Sequence, residues 1–277
     1  MAKRIASTVT LWLLLFAVLW FFRNTGAVAV IVAISVLTLR EFYRLMAAAG
    51  YAPFEKLGMA CGGLITAAPW IAARFGVPSS PLLALATVVF SIRMVAERPP
   101  EKRVEALAST ILGLVYVALL LQYLVRIVCP VQGDALLPEG RIVLCLWLVA
   151  VAKFCDVGAL LTGLAIGRHP MAPLTSPKKT WEGAVGGVLV SMGVGALVAW
   201  LGRSWLPSSA TPLLAALAAA PVAAVGIVSD LVESVIKRRA ALKDSGAGIP
   251  GIGGIFDLSD SLILAAPVGY FLLQHLA

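Results

Sequence analysis

The residues best suited to chemistry are acids and lysines at helical spacing in the last third of the chain. In SDLVESVIKR, Asp230, Glu233 and Lys237 stand at i, i+3 and i+7, one face of a helix. Asp257 and Asp260 repeat the i, i+3 spacing at the start of the next apolar run. Acids in a first helical turn can be simple partners of the helix dipole. Carboxylates converging from two helices also suit a hard cation such as Mg²⁺, which takes oxygen ligands and bridges phosphates. Asp230, Glu233, Asp257 and Asp260 are therefore the expected metal ligands. Between the two helices runs GAGIPGIGG, whose glycines permit tight turns and present N–H groups to an anion. Lys237, Arg238, Lys243 and Asp244 precede this loop, so the pattern predicts a combined metal and phosphate site.

A second basic cluster lies upstream in RHPMAPLTSPKKTWEGAVGG. Ser176 followed by Pro177 reads as a helix start, with Ser as N-cap and Pro at the first helical position. Lys178 and Lys179 would then occupy the first turn, where cations oppose the dipole unless an anion is bound. Lys153 and Asp156 fall inside an apolar run, three residues apart. They either neutralise one another as an ion pair or leave Asp156 lining the site.

These groups must be positioned by membrane helices. The chain has 277 residues, is 60% hydrophobic and 13% charged, and its mean hydropathy is +0.96. An ordinary soluble domain carries about 25% charged residues. Nine apolar runs approach the length of about 20 residues that crosses a bilayer: 8–22, 25–40, 57–74, 80–96, 106–128, 142–166, 182–202, 211–233 and 258–276. They show no strand-like alternation, so the expected class is all-α, a polytopic integral membrane protein with about nine transmembrane helices. With the N-terminus inside, 16 of the 22 lysines and arginines fall on the cytoplasmic side and 5 on the other, with Lys153 within a span. The net charge of +8 thus reflects topology and attraction to anionic lipid head groups, not nucleic acid. The first run follows Lys3 and Arg4 as a signal peptide would, but no small-residue cleavage site precedes the second, so it reads as a span. Cys61, Cys129, Cys145 and Cys155 lack metal or redox spacing and read as buried thiols, and neither His169 nor His275 has a partner at metal-ligand spacing. Residues 1–140 read as a membrane scaffold of about five spans. Residues 141–277 read as a catalytic membrane domain of about four, with the phosphate- and metal-binding loops on its cytoplasmic side.

The charged segments resemble phosphatidate cytidylyltransferases, also called CDP-diacylglycerol synthases. That family's signature runs in outline S-x-x-K-R-x4-K-D-x-G-x2-[LI]-P-G-H-G-G-x-x-D-R-x-D. Ser234, Lys237, Arg238, Lys243, Asp244, Gly246, Ile249, Pro250, Gly251, Gly253, Gly254, Asp257 and Asp260 fit it at the family spacing. The block from Ser176 to Gly183 and the D-x-G-A at Asp156 to Ala159 are also similar to the family, so the likeness covers about residues 150–265. It implies transfer of a cytidylyl group from CTP to phosphatidate, giving CDP-diacylglycerol and pyrophosphate for phospholipid biosynthesis. Asp230, Lys237, Asp257 and Asp260 would be catalytic. Ser176, Lys178, Lys179, Thr180, Arg238, Lys243, Asp244, Gly253 and Gly254 would bind the substrates. The resemblance further implies Mg²⁺, with room for a second cation, a bacterial inner-membrane location with the site facing the cytoplasm, and a homodimer.

Three positions depart from the pattern. The family's His in P-G-H-G-G is Ile252, its Arg in D-R-x-D is Leu258, and the glycine usual before the Asp-Leu of the eighth span is Ser229. These departures leave open a related membrane nucleotidyltransferase with another lipid phosphate or nucleotide, or a non-catalytic family member. A CDP-alcohol phosphotransferase would need a D-G-x2-A-R signature that this chain lacks. Intramembrane acids alone would also permit a transporter.

Overall fold

Alanine, leucine and valine fill every long segment, and in lipid the backbone must satisfy its own hydrogen bonds, so the chain folds as helices. A computed structural model describes residues 2–78, 81–97, 103–129, 136–242, 245–246 and 253–274. Arg98, Lys102, Lys243, Asp244, Ile249, Pro250, Gly251, Ile252 and His275, which enter the sequence-based expectations, lie outside the described residues. The helices are α1 (Ala2–Ala48), α2 (Glu55–Phe75), α3 (Leu82–Glu97), α4 (Arg103–Gly113) and, after a π-helical turn at Leu114–Leu119, α5 (Leu120–Val128). They continue with α6 (Pro138–Ile166), α7 (Trp181–Leu201), α8 (Pro212–Arg239) and α9 (Ile255–Leu273). A short hairpin of β1 (Pro170–Ala172) and β2 (Ser176–Thr180) separates α6 from α7.

The protein is an all-α integral membrane protein. Among the described residues seven helices have the length and hydropathy to cross a bilayer, and an eighth, Leu82–Ala96, is apolar but shorter. The expected count of nine is therefore approximate. The break expected between the first two runs falls within α1, where Arg23 leaves helical geometry at φ 47° and ψ −131°.

The hairpin corrects one expectation. The helix does not begin at Ser176: residues 176–180 form β2, which pairs antiparallel with β1 through Pro170–Thr180 and Ala172–Ser176. Lys178 and Lys179 therefore precede the helix instead of occupying its first turn. Thr180 caps α7, its Oγ1 accepting from the Gly183 N–H at 3.2 Å, and Glu182 takes the first turn. This arrangement puts an acid where the dipole favours one and keeps the cations out.

Two compact units make up the chain: Met1–Val125 with Ile236–Ser259, and Arg126–Val235 with Asp260–Ala277. In the first unit Phe42 packs edge-on against both Tyr43 and Phe256, with ring centroids 5.8 and 6.1 Å apart. Two buried polar contacts tie its helices together: Tyr43 donates to the Thr110 carbonyl at 3.0 Å, and the Ser35 and Thr66 hydroxyls meet at 2.7 Å. In the second unit α7 buries Gly183, Gly187, Ser191, Gly195 and Ala199, a small residue every fourth position. Such a stripe lets membrane helices approach closely. A Cβ on Gly187 would sit 2.7 Å from the Cys155 carbonyl oxygen of α6, so that crossing requires glycine. Ser191 donates to the Val151 carbonyl at 2.8 Å and Trp147 Nε1 to the Gly195 carbonyl at 3.1 Å, fastening α6 to α7. All four cysteines are free thiols. Burial pushes the Cys129 thiol up to about 11, against the opposing effect of Arg141, which leaves it chemically inert.

Candidate active site

In the second unit α8 carries Asp230 and Glu233 one turn apart, and α9 carries Asp260. Their carboxylate oxygens lie within 4.8 Å of one another. Glu233 is 1% exposed and Asp260 9%. Two lysines face this group. Lys179 of β2 forms an ion pair with Asp230. Lys153 of α6 donates to Asp260 Oδ1 at 3.2 Å and to Ser261 Oγ at 2.8 Å, and stands 3.5 Å from Asp156. Ser261 donates onward to Asp156 Oδ2 at 3.2 Å. Lys153 and Asp156 thus form the ion pair that their spacing allowed, within a larger network.

The donor set fits a hard divalent cation. All three converging groups are carboxylates, as Mg²⁺ prefers. The network carries the acids Asp156, Asp230, Glu233 and Asp260 together with Lys153 and Lys179. Beside the network a cavity of about 290 Å³ is lined by Asp156, Ser176, Lys178, Lys179, Thr180 and Asp230 on its polar side, and by Leu160, Met171 and Ile227 on its apolar side. Both Lys178 and Lys179 come to this lining from β2 of the hairpin.

Ser229, the residue standing where the resembled family has glycine, is fully buried. Its hydroxyl donates to the main-chain carbonyl of Asp260 and accepts from the Leu264 N–H at 3.3 Å. Asp260 and Leu264 are four apart, the pair that an unbroken α-helix bonds directly. The serine thus reaches into the backbone ladder of α9 at the residue bearing the buried carboxylate.

The first unit holds the other charged residues of the signature. Asp257 Oδ1 accepts from Lys237 at 2.8 Å, and its Oδ2 accepts from the N–H groups of Gly254 and Ser245 at 2.8 and 3.3 Å. Gly253 adopts φ +120°, a conformation open to glycine. Arg238 is exposed. Within this unit the N–H groups of Ser245 and Gly254 are thus met by a protein carboxylate.

Of the residues singled out by sequence, the structure therefore gathers Asp230, Glu233, Asp260, Ser176, Lys178, Lys179 and Thr180 around one network and cavity. Lys237, Asp257, Gly253 and Gly254 belong to the loop of the first unit. Ser261 and Glu41 were not singled out from the sequence, and Lys153 was expected only as a partner of Asp156. Ser261 directly follows an acid inside an apolar run, which is the signal that could have marked it. Glu41 reads in REFYR as one more charge at a span end.

Comparison with known proteins gives the family. The Cytidylyltransferase family profile matches residues 2–276. The chain is 30% identical to a phosphatidate cytidylyltransferase of Synechocystis sp., over 97% of this chain and 95% of that protein. It is 33% identical to phosphatidate cytidylyltransferase 5, chloroplastic, of Arabidopsis thaliana, over 91% of this chain and 65% of the relative. A phosphatidate cytidylyltransferase of Mycobacterium bovis shares 28% identity over 97% of this chain and 86% of its own length. Because the match runs through the scaffold helices as well as the charged segments, the whole chain, and not its signature alone, belongs to the cytidylyltransferase family.

Proposed function

We propose that the protein transfers the cytidylyl group of CTP to phosphatidate, giving CDP-diacylglycerol and pyrophosphate. The observation that carries this reading is the lysine-lined cavity sharing Asp230 with the acid network in one unit. The names of the full-length relatives support the choice of substrates. An oxygen of the lipid phosphate attacks the α-phosphorus of CTP, a new P–O bond forms, and the bond to the β-phosphate breaks to release pyrophosphate. The attacking phosphate monoester is already ionised near neutral pH, so no side chain need remove a proton. Lys178 and Lys179 neutralise and orient the phosphates, while Ser176 and Thr180 offer hydroxyls along the same wall. Lys153 holds Asp260 and Asp156 in place. Asp230, Glu233 and Asp260 would hold Mg²⁺, which when bound supplies charge stabilisation to the phosphates. Asp257 and Lys237 set the loop that precedes α9, and Arg238 serves as a cation toward the lipid phosphate. Lys243, Asp244, Gly253 and Gly254 complete the loop's part in substrate binding.

The basic residues at the span ends favour a site at the cytoplasmic face of a bacterial inner membrane, within reach of both a soluble nucleotide and a lipid head group. Purified protein in detergent, given labelled CTP, phosphatidate and Mg²⁺, is expected to form labelled CDP-lipid and pyrophosphate. No product with phosphatidate, but product with another lipid phosphate, would overturn the substrate. No product with any would overturn the reaction. Labelling of a Lys179→Cys variant by an impermeant thiol reagent outside the cell would overturn the orientation.

A further inference from the structure

The first unit contains a buried carboxylate that the proposed reaction does not use. Glu41 lies on α1, 8% exposed, in a stretch where Leu39, Phe42, Tyr43 and Leu45 are also buried. A carboxylate in such surroundings needs strong donors. Among the described residues, its donors are Ser245 Oγ at 2.8 Å, ten residues before α9, and the Phe256 N–H in the first turn of α9 at 2.8 Å.

Phe256 is the second residue of α9, so its N–H is one of the four that a helix leaves unsatisfied. A side-chain oxygen of the residue before the helix ordinarily accepts that bond. Here that residue is Gly254, which has no side chain. Asp257, third in the helix, reaches back to the Gly254 N–H at 2.8 Å, the return half of a capping box. Glu41 supplies the missing half from another helix. The glycines leave room for it: a Cβ on Gly246 would lie 2.9 Å from Glu41 Oε1, and one on Gly254 would lie 2.9 Å from Glu41 Cδ. Two signature glycines are thus accounted for by a carboxylate about two hundred residues away in sequence, at separations of 204 and 215 for its two bonds.

We infer that Glu41 is a positioning residue that caps α9 from α1 and fixes the turn bearing Asp257 and Asp260. Its effect on turnover rests on the proposed function, whereas its capping role does not. The test uses the full chain in detergent with Glu41→Gln and Glu41→Ala. Amide exchange of residues 253–258 is expected to accelerate by about tenfold or more in Glu41→Ala, while peptides of α7 stay unchanged. Glu41→Gln, which keeps one acceptor oxygen, should fall between it and wild type. Per folded molecule, kcat should drop by about tenfold to a hundredfold in Glu41→Ala with the KM for CTP nearly unmoved, as for a misplaced reacting group. Unchanged exchange at 253–258 in both variants overturns the cap. Faster exchange with unchanged kcat overturns the link to catalysis and leaves a purely structural cap. A wild type that makes no CDP-lipid fails the proposed function instead, and the exchange measurement still decides whether Glu41 caps α9.

Discussion

Two groups of acids, one in each unit, show how one residue type serves opposite ends. Asp257 and Glu41 are surrounded by donors: a lysine, a serine hydroxyl and backbone N–H groups at a helix start. Asp230, Glu233 and Asp260 each bring a carboxylate oxygen within 4.8 Å of the others, beside Lys153 and Lys179. Two unit charges at that separation repel by about 3–4 kcal/mol at an effective dielectric near 20. The first arrangement is self-sufficient and holds a loop still. The second gathers carboxylates beside Lys153 and Lys179, an arrangement that suits a divalent cation. In the proposed function, acids satisfied by the backbone build the frame and acids crowded together build the site.

Asparagine substitutions test that contrast most sharply. Asp260→Asn and Asp230→Asn preserve side-chain volume and remove a charge from the crowded group. Each is expected to lower turnover by at least about a hundredfold, the scale of losing a main electrostatic stabiliser. The Mg²⁺ concentration for half-activity should rise in both, measured on protein that inserts and purifies normally. Wild-type turnover at limiting Mg²⁺ in either would mean that the carboxylates are packing partners and not ligands.

Asp257→Asn is expected to cost less, about tenfold, because an amide oxygen can still accept from the Gly254 N–H while the pairing with Lys237 is weakened. Its Mg²⁺ requirement should match wild type. If this variant loses as much activity as Asp260→Asn and needs more Mg²⁺, Asp257 shares the cation and the contrast between the two groups collapses.

The spacing of Asp230 with Glu233 was readable in sequence because helical periodicity is local, and so was the break at Arg23 between two apolar runs. The role of SPKKT was readable in part: its lysines marked the cavity, but Ser-Pro followed by a run ending in Trp-Glu-Gly fits either a helix start or a strand before one. Only pairing with Pro170–Ala172 decides between them. Glu41 was not readable at all. Nothing near it in sequence needs a carboxylate, and its partners are brought to it by tertiary folding. Lys153 was visible as an intramembrane charge, but its choice of Asp260 besides Asp156 depends on where α9 lies against α6 within the second unit.

A smaller effect is expected at Ser229. Its hydroxyl bridges the Asp260 carbonyl and the Leu264 N–H, but without it α9 can close its own bond between those groups. Ser229→Ala should therefore cost about 1 kcal/mol of stability or less and a few-fold in turnover. Ser229→Gly, the residue of the resembled signature, should behave alike, measured by thermal unfolding in detergent and by CDP-lipid formation. A loss as large as that of Asp260→Asn would show that the bridge sets the carboxylate's position.

A comparably small effect is expected where the chain departs most from the signature, at Ile252 and Leu258. Leu258 is half-buried in the first turn of α9, between Asp257 and Ser259. If a histidine and an arginine at these positions did indispensable chemistry, this chain would be inactive. The crowded acids, Lys178 and Lys179 are all retained, and these carry most of the charge stabilisation in the proposed reaction. A histidine and an arginine would instead brace the loop or orient a phosphate through charge-assisted hydrogen bonds. Exchanging both for apolar residues also leaves no charge without its counterpart. Ile252→His with Leu258→Arg is therefore expected to change turnover by less than about tenfold from an already active wild type. A silent wild type beside an active double variant would move the essential chemistry out of the acid network and into the loop, reversing the roles of the two groups of acids.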